Sequence, residues 1–145
     1  WKGFSVNAQF SWVKNRWMLN NDRFFDESNG MYSSAFNQSK ELFKRWKKPG
    51  DITSVPRYGV TPQMDAHLLE DASFLRLKNL TFAYNFPQAM LKRTKAISMA
   101  RIFAQGQNLL TFTKFTGMDP ESSKNVYQAA YPMSRQFTFG LEVTF

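Results

Sequence analysis

The stretch Arg135-Gln-Phe-Thr-Phe-Gly-Leu-Glu-Val-Thr-Phe145 decides how the rest of the chain is read. Phe137, Phe139, Leu141, Val143 and Phe145 share one parity, and Gln136, Thr138, Gly140, Glu142 and Thr144 the other. Successive strand side chains point to opposite sides, so this is a strand with one oily and one polar face. Its length matches the roughly 9–11 residues that a tilted strand needs to cross a bilayer.

The same pattern recurs upstream. Over 97–112, Ala100, Ile102, Ala104, Gly106, Leu110 and Phe112 oppose Arg101, Phe103, Gln105 and Gln107, and Asn108 breaks the apolar parity. Over 73–86, Leu80, Phe82, Tyr84 and Phe86 oppose Asn79, Thr81, Ala83 and Asn85. Following that apolar parity backwards meets Lys78 and Arg76. Each would cost about 2–4 kcal/mol at mid-bilayer and about 0–1 kcal/mol near an interface. Either they lie toward the rim, or a bulge shifts the register. Over 3–18, Phe4, Val6, Ala8, Phe10 and Trp12 alternate with Ser5, Asn7, Gln9 and Ser11. Trp12 and Trp17 come near the end of that run, and amphipathic rings favour the headgroup level.

The connections run long, short, long. Residues 19–71 are expected to be mostly irregular, with turn signals at Asn20-Asn21-Asp22 and Ser28-Asn29-Gly30. Within them Ser39–Lys48 predicts a short helix with Ser39 as N-cap, Leu42, Phe43 and Trp46 on one face, and Pro49-Gly50 as its end. Residues 87–96 are a short basic turn with Lys92, Arg93 and Lys95, and 113–134 a second long loop with a turn at Gly117-Met-Asp-Pro120. If the last strand runs inward, both long loops (19–71 and 113–134) are extracellular and the turn 87–96 is periplasmic, the sorting that outer-membrane barrels show.

Composition agrees. Aromatics reach 17% while mean hydropathy is −0.46, and no run of about 20 apolar residues exists to form a membrane helix. A barrel hides its membrane signal by alternation. The alternative is a soluble β-sandwich binding module with a basic loop, whose strands alternate in the same way. Net charge is +8, but the one tight basic cluster, Lys44-Arg45-Trp46-Lys47-Lys48, is too short to follow a nucleic-acid backbone, so no nucleic-acid partner is expected. There is no Cys, and His67 is the only histidine, read as a solvated loop residue. Asp51, Asp119 and Glu121 lack the pattern of a dedicated calcium loop. No catalytic residue, metal or cofactor is expected, and the chain is not read as an enzyme. Trp46, Tyr58, Tyr127 and Tyr131 are the loop aromatics that could touch a substrate or a partner protein, although such residues more often pack their own loop.

Four strands cannot close a barrel, and an open edge in lipid leaves backbone groups unpaired at several kcal/mol each. The expected structure is therefore part of a larger barrel, a reading in keeping with a chain that opens at Trp1.

Three blocks then resemble a known family: Asp71-Ala-Ser-Phe-Leu-Arg-Leu-Lys-Asn-Leu-Thr-Phe-Ala-Tyr-Asn-Phe-Pro87, Arg101-Ile-Phe-Ala-Gln-Gly-Gln-Asn-Leu-Leu-Thr-Phe-Thr-Lys-Phe-Thr-Gly-Met-Asp-Pro-Glu121 and Tyr131-Pro-Met-Ser-Arg-Gln-Phe-Thr-Phe-Gly-Leu-Glu-Val-Thr-Phe145. They resemble the C-terminal part of the SusC/RagA-like TonB-dependent outer-membrane transporters of Bacteroidetes. Leu42-Phe-Lys-Arg-Trp46 followed by Val55-Pro-Arg57 is similar to that family's preceding outer loop. Ala83 stands where the family often has Gly, and Phe115 where Tyr is common.

The resemblance implies an all-β chain, residues 1–145, forming the last four antiparallel strands of a barrel of about 22 strands with a plugged lumen. It implies TonB-energised import of nutrient oligosaccharides or peptides across the cell outer membrane. The implied partners are the rest of the barrel and its plug, a SusD-like lipoprotein, TonB through an N-terminal part outside these residues, outer-membrane lipid and the barrel-assembly machinery. Phe4, Val6, Phe10, Trp12, Leu80, Phe82, Tyr84, Phe86, Ile102, Leu110, Phe112, Phe137, Phe139, Leu141, Val143 and Phe145 would face lipid. Asn7, Gln9, Asn79, Thr81, Arg101, Gln105, Gln136, Thr138 and Glu142 would face the lumen. Phe145 would serve as an assembly signal.

Overall fold

The structure is a computed structural model describing residues 2–27, 31, 35, 37–61, 63–93 and 96–145. In chain order its elements are β1 (Phe4–Val13), β2 (Trp17–Asn20), α1 (Asn21–Asp26), a 3-10 turn (Lys40–Lys44), a second (Ala66–Leu68), β3 (Leu69–Asp71), β4 (Phe74–Asn85), α2 (Gln88–Leu91), β5 (Met99–Thr113), β6 (Val126–Tyr127) and β7 (Gln136–Thr144). No helix among them is long and apolar enough to cross a membrane. The chain divides into two compact units.

The first unit comprises Trp1–Lys14, Phe74–Thr113 and Met133–Phe145. It is a four-stranded antiparallel sheet in the order β1-β4-β5-β7. Val13 pairs with Phe74, and Phe74 with Thr113, so both long connections leave the same end of the sheet. At the other end Phe4 pairs with Tyr84, and Tyr84 with Ile102, where the short connection turns. Pro87 caps α2 in that turn, a helix missed in the sequence because it is a single turn long.

The second unit comprises Asn15–Ser73 and Lys114–Pro132. Its three-stranded sheet runs β3-β2-β6, with β2–β6 parallel. Met18, Ala72, Phe115 and Tyr127 form its core. Gly117 is required there, because a Cβ would overlap the rings of both Phe115 and Tyr127.

Several expected boundaries are corrected. The strand expected over 3–18 is two strands. Asn15 takes a positive φ of 58°, which breaks the run after Val13, and Trp17–Asn20 pairs in the other sheet. The expected turn at Asn20-Asn21-Asp22 instead opens α1, with the Asn20 side chain accepting from the Arg23 amide. The helix expected over Ser39–Lys48 is a 3-10 turn ending at Lys44. Ser39 does cap it, but only Leu42 is buried while Phe43 is 79% exposed. Trp46 is half-buried, and its amide donates to the Val55 carbonyl at 2.9 Å. The Ser28-Asn29-Gly30 turn and Lys95 lie outside the described residues.

Candidate functional site: a two-faced sheet and a polar loop cluster

The register of the first unit sorts its side chains into two faces. Across the sheet, Phe4–Tyr84–Ile102–Leu141, Val6–Phe82–Ala104–Phe139 and Ala8–Leu80–Gly106–Phe137 form apolar rows. On the opposite face, Asn7–Thr81–Gln105–Thr138 and Gln9–Asn79–Gln107–Gln136 form polar rows, and Arg101 pairs with Glu142 at 2.9 Å. Phe4, Phe10, Trp12, Phe112, Phe137, Phe139 and Leu141 are each more than half exposed. Exposed apolar faces of this extent mark protein–protein or membrane contact sites.

A bulge resolves the problem of Lys78 and Arg76. Gln9 pairs with Asn79 but Phe10 with Leu77, so Lys78 is the extra residue of β4. Beyond it the parity of β4 inverts. Leu77 pairs with Phe10 and Leu75 with Trp12, which puts both leucines on the apolar face. Arg76 passes to the polar face, where it is buried and its Nε donates to Thr111 Oγ1 at 2.9 Å. On β5 the compensating insertion is Asn108-Leu109, with Asn108 at φ +53 and its side-chain Nδ2 donating to the Ser134 carbonyl. Leu110 and Phe112 thereby keep the apolar face, opposite Leu77 and Leu75. Leu75 and Leu77 were missed as members of this face. The signal was present, since odd leucines give way to even apolar residues across Lys78-Asn79.

Phe86 and Phe145 lie just beyond the ends of β4 and β7. The Phe86 amide donates to the Ala100 carbonyl, and Phe145 is 86% exposed.

The second unit is tied together by a polar cluster. Glu70 accepts from the Thr116 amide at 2.9 Å, from Thr116 Oγ1, from Arg23 Nη1 at 3.0 Å and from Asn20 Nδ2. Burial pushes its carboxyl up, but the Thr116, Arg23 and Asn20 donors outweigh that and hold it below the usual carboxylate range. Arg23 also pairs with Glu27 at 2.6 Å. Burial disfavours its charge, and the two glutamates more than offset this, so its guanidinium is held more firmly protonated. His67, expected to be solvated, bridges Glu27 Oε2 (3.0 Å from Nε2) and Asp65 Oδ1, which the sequence could not pair because Glu27 is far away in the chain. The Asp65 carboxyl is lowered by the His67 side-chain bond. Asp51 and Asp119 are turn residues, accepting from the Lys47 and Lys48 amides and from the Glu121 amide.

Of the four loop aromatics, Tyr127 is corrected to a core residue. It is 1% exposed, and its hydroxyl accepts from the Met118 amide and donates to the Ala130 carbonyl. Tyr58 is exposed beneath the Arg45 guanidinium, and Tyr131 is 95% exposed.

No protein-family model matches the chain. TonB-dependent receptor P3 of Formosa agariphila is 36% identical over 126 residues, covering 78% of this chain and 12% of that protein. TonB-dependent receptor SusC of Bacteroides thetaiotaomicron is 32% identical over 82 residues, covering 57% of this chain and 8% of SusC. The solved RagAB peptide importer in its closed-closed state matches all of this chain with a TM-score of 0.90 and 43% identity, over 16% of its own chain. Its open-open state matches equally well. The chain thus spans roughly an eighth of the curated relatives' length. Matched over the whole of its length to RagAB at 43% identity, the chain belongs to the SusC/RagA-like TonB-dependent transporters, as a segment of their β-barrel.

Proposed function

We propose that this chain supplies four neighbouring strands to an outer-membrane barrel that imports nutrient oligosaccharides or peptides with energy from TonB. The apolar rows would meet lipid and the polar rows the lumen. The observation that supports this most directly is the inversion at Lys78, which keeps one face apolar over its whole height and takes Arg76 off it. A soluble sandwich would bury such a face against a second sheet, and the described residues hold no second sheet within that unit. The two edges, β1 and β7, each pair on one side, so further strands must satisfy them in lipid.

The long connections would then be extracellular and the β4–β5 connection periplasmic. A SusD-like lipoprotein would meet the extracellular side, where Trp46, Tyr58 and Tyr131 offer aromatic contacts. Phe145 would contribute to recognition by the barrel-assembly machinery. The role is transport, not catalysis. Uptake of labelled oligosaccharides and peptides by cells expressing the full-length protein tests the reading. Uptake should cease when a protonophore collapses the inner-membrane gradient. Uptake that persists unchanged would mean a passive pore.

A further inference from the structure

We propose that the apolar face carries a site for one anionic phospholipid, with an acyl chain lying over Ala104 and the phosphate on Lys92 and Arg93. The site rests on the membrane reading above. Along β5 the apolar positions shrink from Ile102 to Ala104 and Gly106. Their partners stay large: Phe82 and Leu80 on β4, Phe139 and Phe137 on β7. The outcome is a hollow of about 620 Å3 over Ala104, walled by Phe82, Tyr84, Ile102, Phe139 and Leu141. That volume falls in the range of roughly 300–1,000 Å3 typical of small-molecule sites.

Along β5 the hollow is flanked by Leu109 on one side and by the connection 86–98 on the other. Leu109 fills the space above Gly106, where an added Cβ would meet its Cδ2 at 2.8 Å. In the other direction Ile102 is three residues from the start of β5, about 10 Å along the strand. There the connection 86–98 exposes Lys92 and Arg93 and contains no Asp or Glu. The walls present almost no hydrogen-bonding groups, so water gains little there, whereas a hydrocarbon chain restores dispersion contacts on every side. Lys92 and Arg93 in the flanking connection would favour an anionic headgroup over a zwitterionic one.

Native mass spectrometry of the full-length protein, reconstituted with equal phosphatidylglycerol and phosphatidylethanolamine, tests this. The wild type should retain one phosphatidylglycerol in preference to phosphatidylethanolamine. Ala104→Phe, which fills the hollow, should lose the retained lipid. The double variant Lys92→Gln/Arg93→Gln should lose the preference for phosphatidylglycerol. Equal retention of both lipids by all three proteins overturns the site, as does lipopolysaccharide held in their place. Heat-modifiable mobility on gels reports barrel formation separately. A barrel that forms but retains no lipid overturns the site alone, and a wild type that forms no barrel overturns the membrane reading as well.

Discussion

The ring of Phe103 lies against Gly140, its register partner across β5 and β7, where any Cβ would overlap the ring carbons. The Arg101 guanidinium stands 5.5 Å from the same ring and reaches across to Glu142. The absent side chain on β7 is thus replaced by an aromatic from β5, a pairing that fixes register in twisted sheets. Gly140→Ala forces the ring to move and should destabilise the strand pair by about 1–3 kcal/mol. Urea unfolding of the full-length barrel measures the loss. Adding Phe103→Leu makes room for the methyl group, so the double variant should lose less than the sum of the two single ones.

Lys78 is the extra residue of β4, so its side chain does not set the faces. Its deletion removes the bulge and leaves Leu77 beside Asn79 in regular alternation, so Leu75, Leu77 and Arg76 keep the faces they have. The deletion and Lys78→Ala should both leave outer-membrane accumulation of the full-length protein near wild type. Immunoblots of outer-membrane fractions measure both. Loss of accumulation on deletion alone would show that the bulge does more than sort the two faces.

Glu70 makes the loop unit sensitive to acid. A carboxyl held low in the fold stabilises it fully above the unfolded value of about 4.3, and that contribution is lost as pH falls through the folded value. Asp26 works in the opposite sense. Burial, then the charges of Asp22, Glu27 and Glu41, raise its carboxyl, so its ionisation is a cost that acid relieves. Protection of the Thr116 amide, whose N–H donates to Glu70, should hold from about pH 8 to 5 relative to intrinsic exchange and should fall below about pH 4. Glu70→Gln should weaken protection at neutral pH by about 1–3 kcal/mol and flatten the acid response. An unchanged pH profile in that variant would assign the acid response to another group.

Tyr127→Phe keeps the ring against Phe115 and removes only the hydroxyl, stranding the Met118 amide and the Ala130 carbonyl. The loss should be about 1–2 kcal/mol and confined to the loop unit. Hydrogen exchange should quicken around Met118 and Ala130 with no change in β4 or β5.

The sheet was legible because each of its strands carries its own period. Phe137–Phe145 and Phe4–Trp12 needed no partner to be read. The bulge was legible as a choice between rim and slip, and only the pairing of Phe10 with Leu77 decided it. The loop unit was not legible. Its core joins Met18, Ala72, Phe115 and Tyr127, and its polar cluster joins Arg23, Glu70 and Thr116, residues brought together by tertiary contacts alone. Trp17-Met-Leu19 continues the apolar look of β1, so β2 was absorbed into it, and the break depends on a backbone angle at Asn15. His67 misled for the same reason, since one of its carboxylate partners lies forty residues away.

The central claim is that one face of this sheet meets lipid and the other meets the lumen. Single cysteines at Gln136, Phe137, Thr138, Phe139, Leu141 and Glu142 of the full-length protein, labelled with an environment-sensitive fluorophore in liposomes, test it most directly. Emission should alternate, blue-shifted and quenched by lipid-borne quenchers at Phe137, Phe139 and Leu141, and red-shifted and lipid-insensitive at Gln136, Thr138 and Glu142. Uniform emission along the six positions, or quenching at Thr138 with none at Phe139, would contradict it.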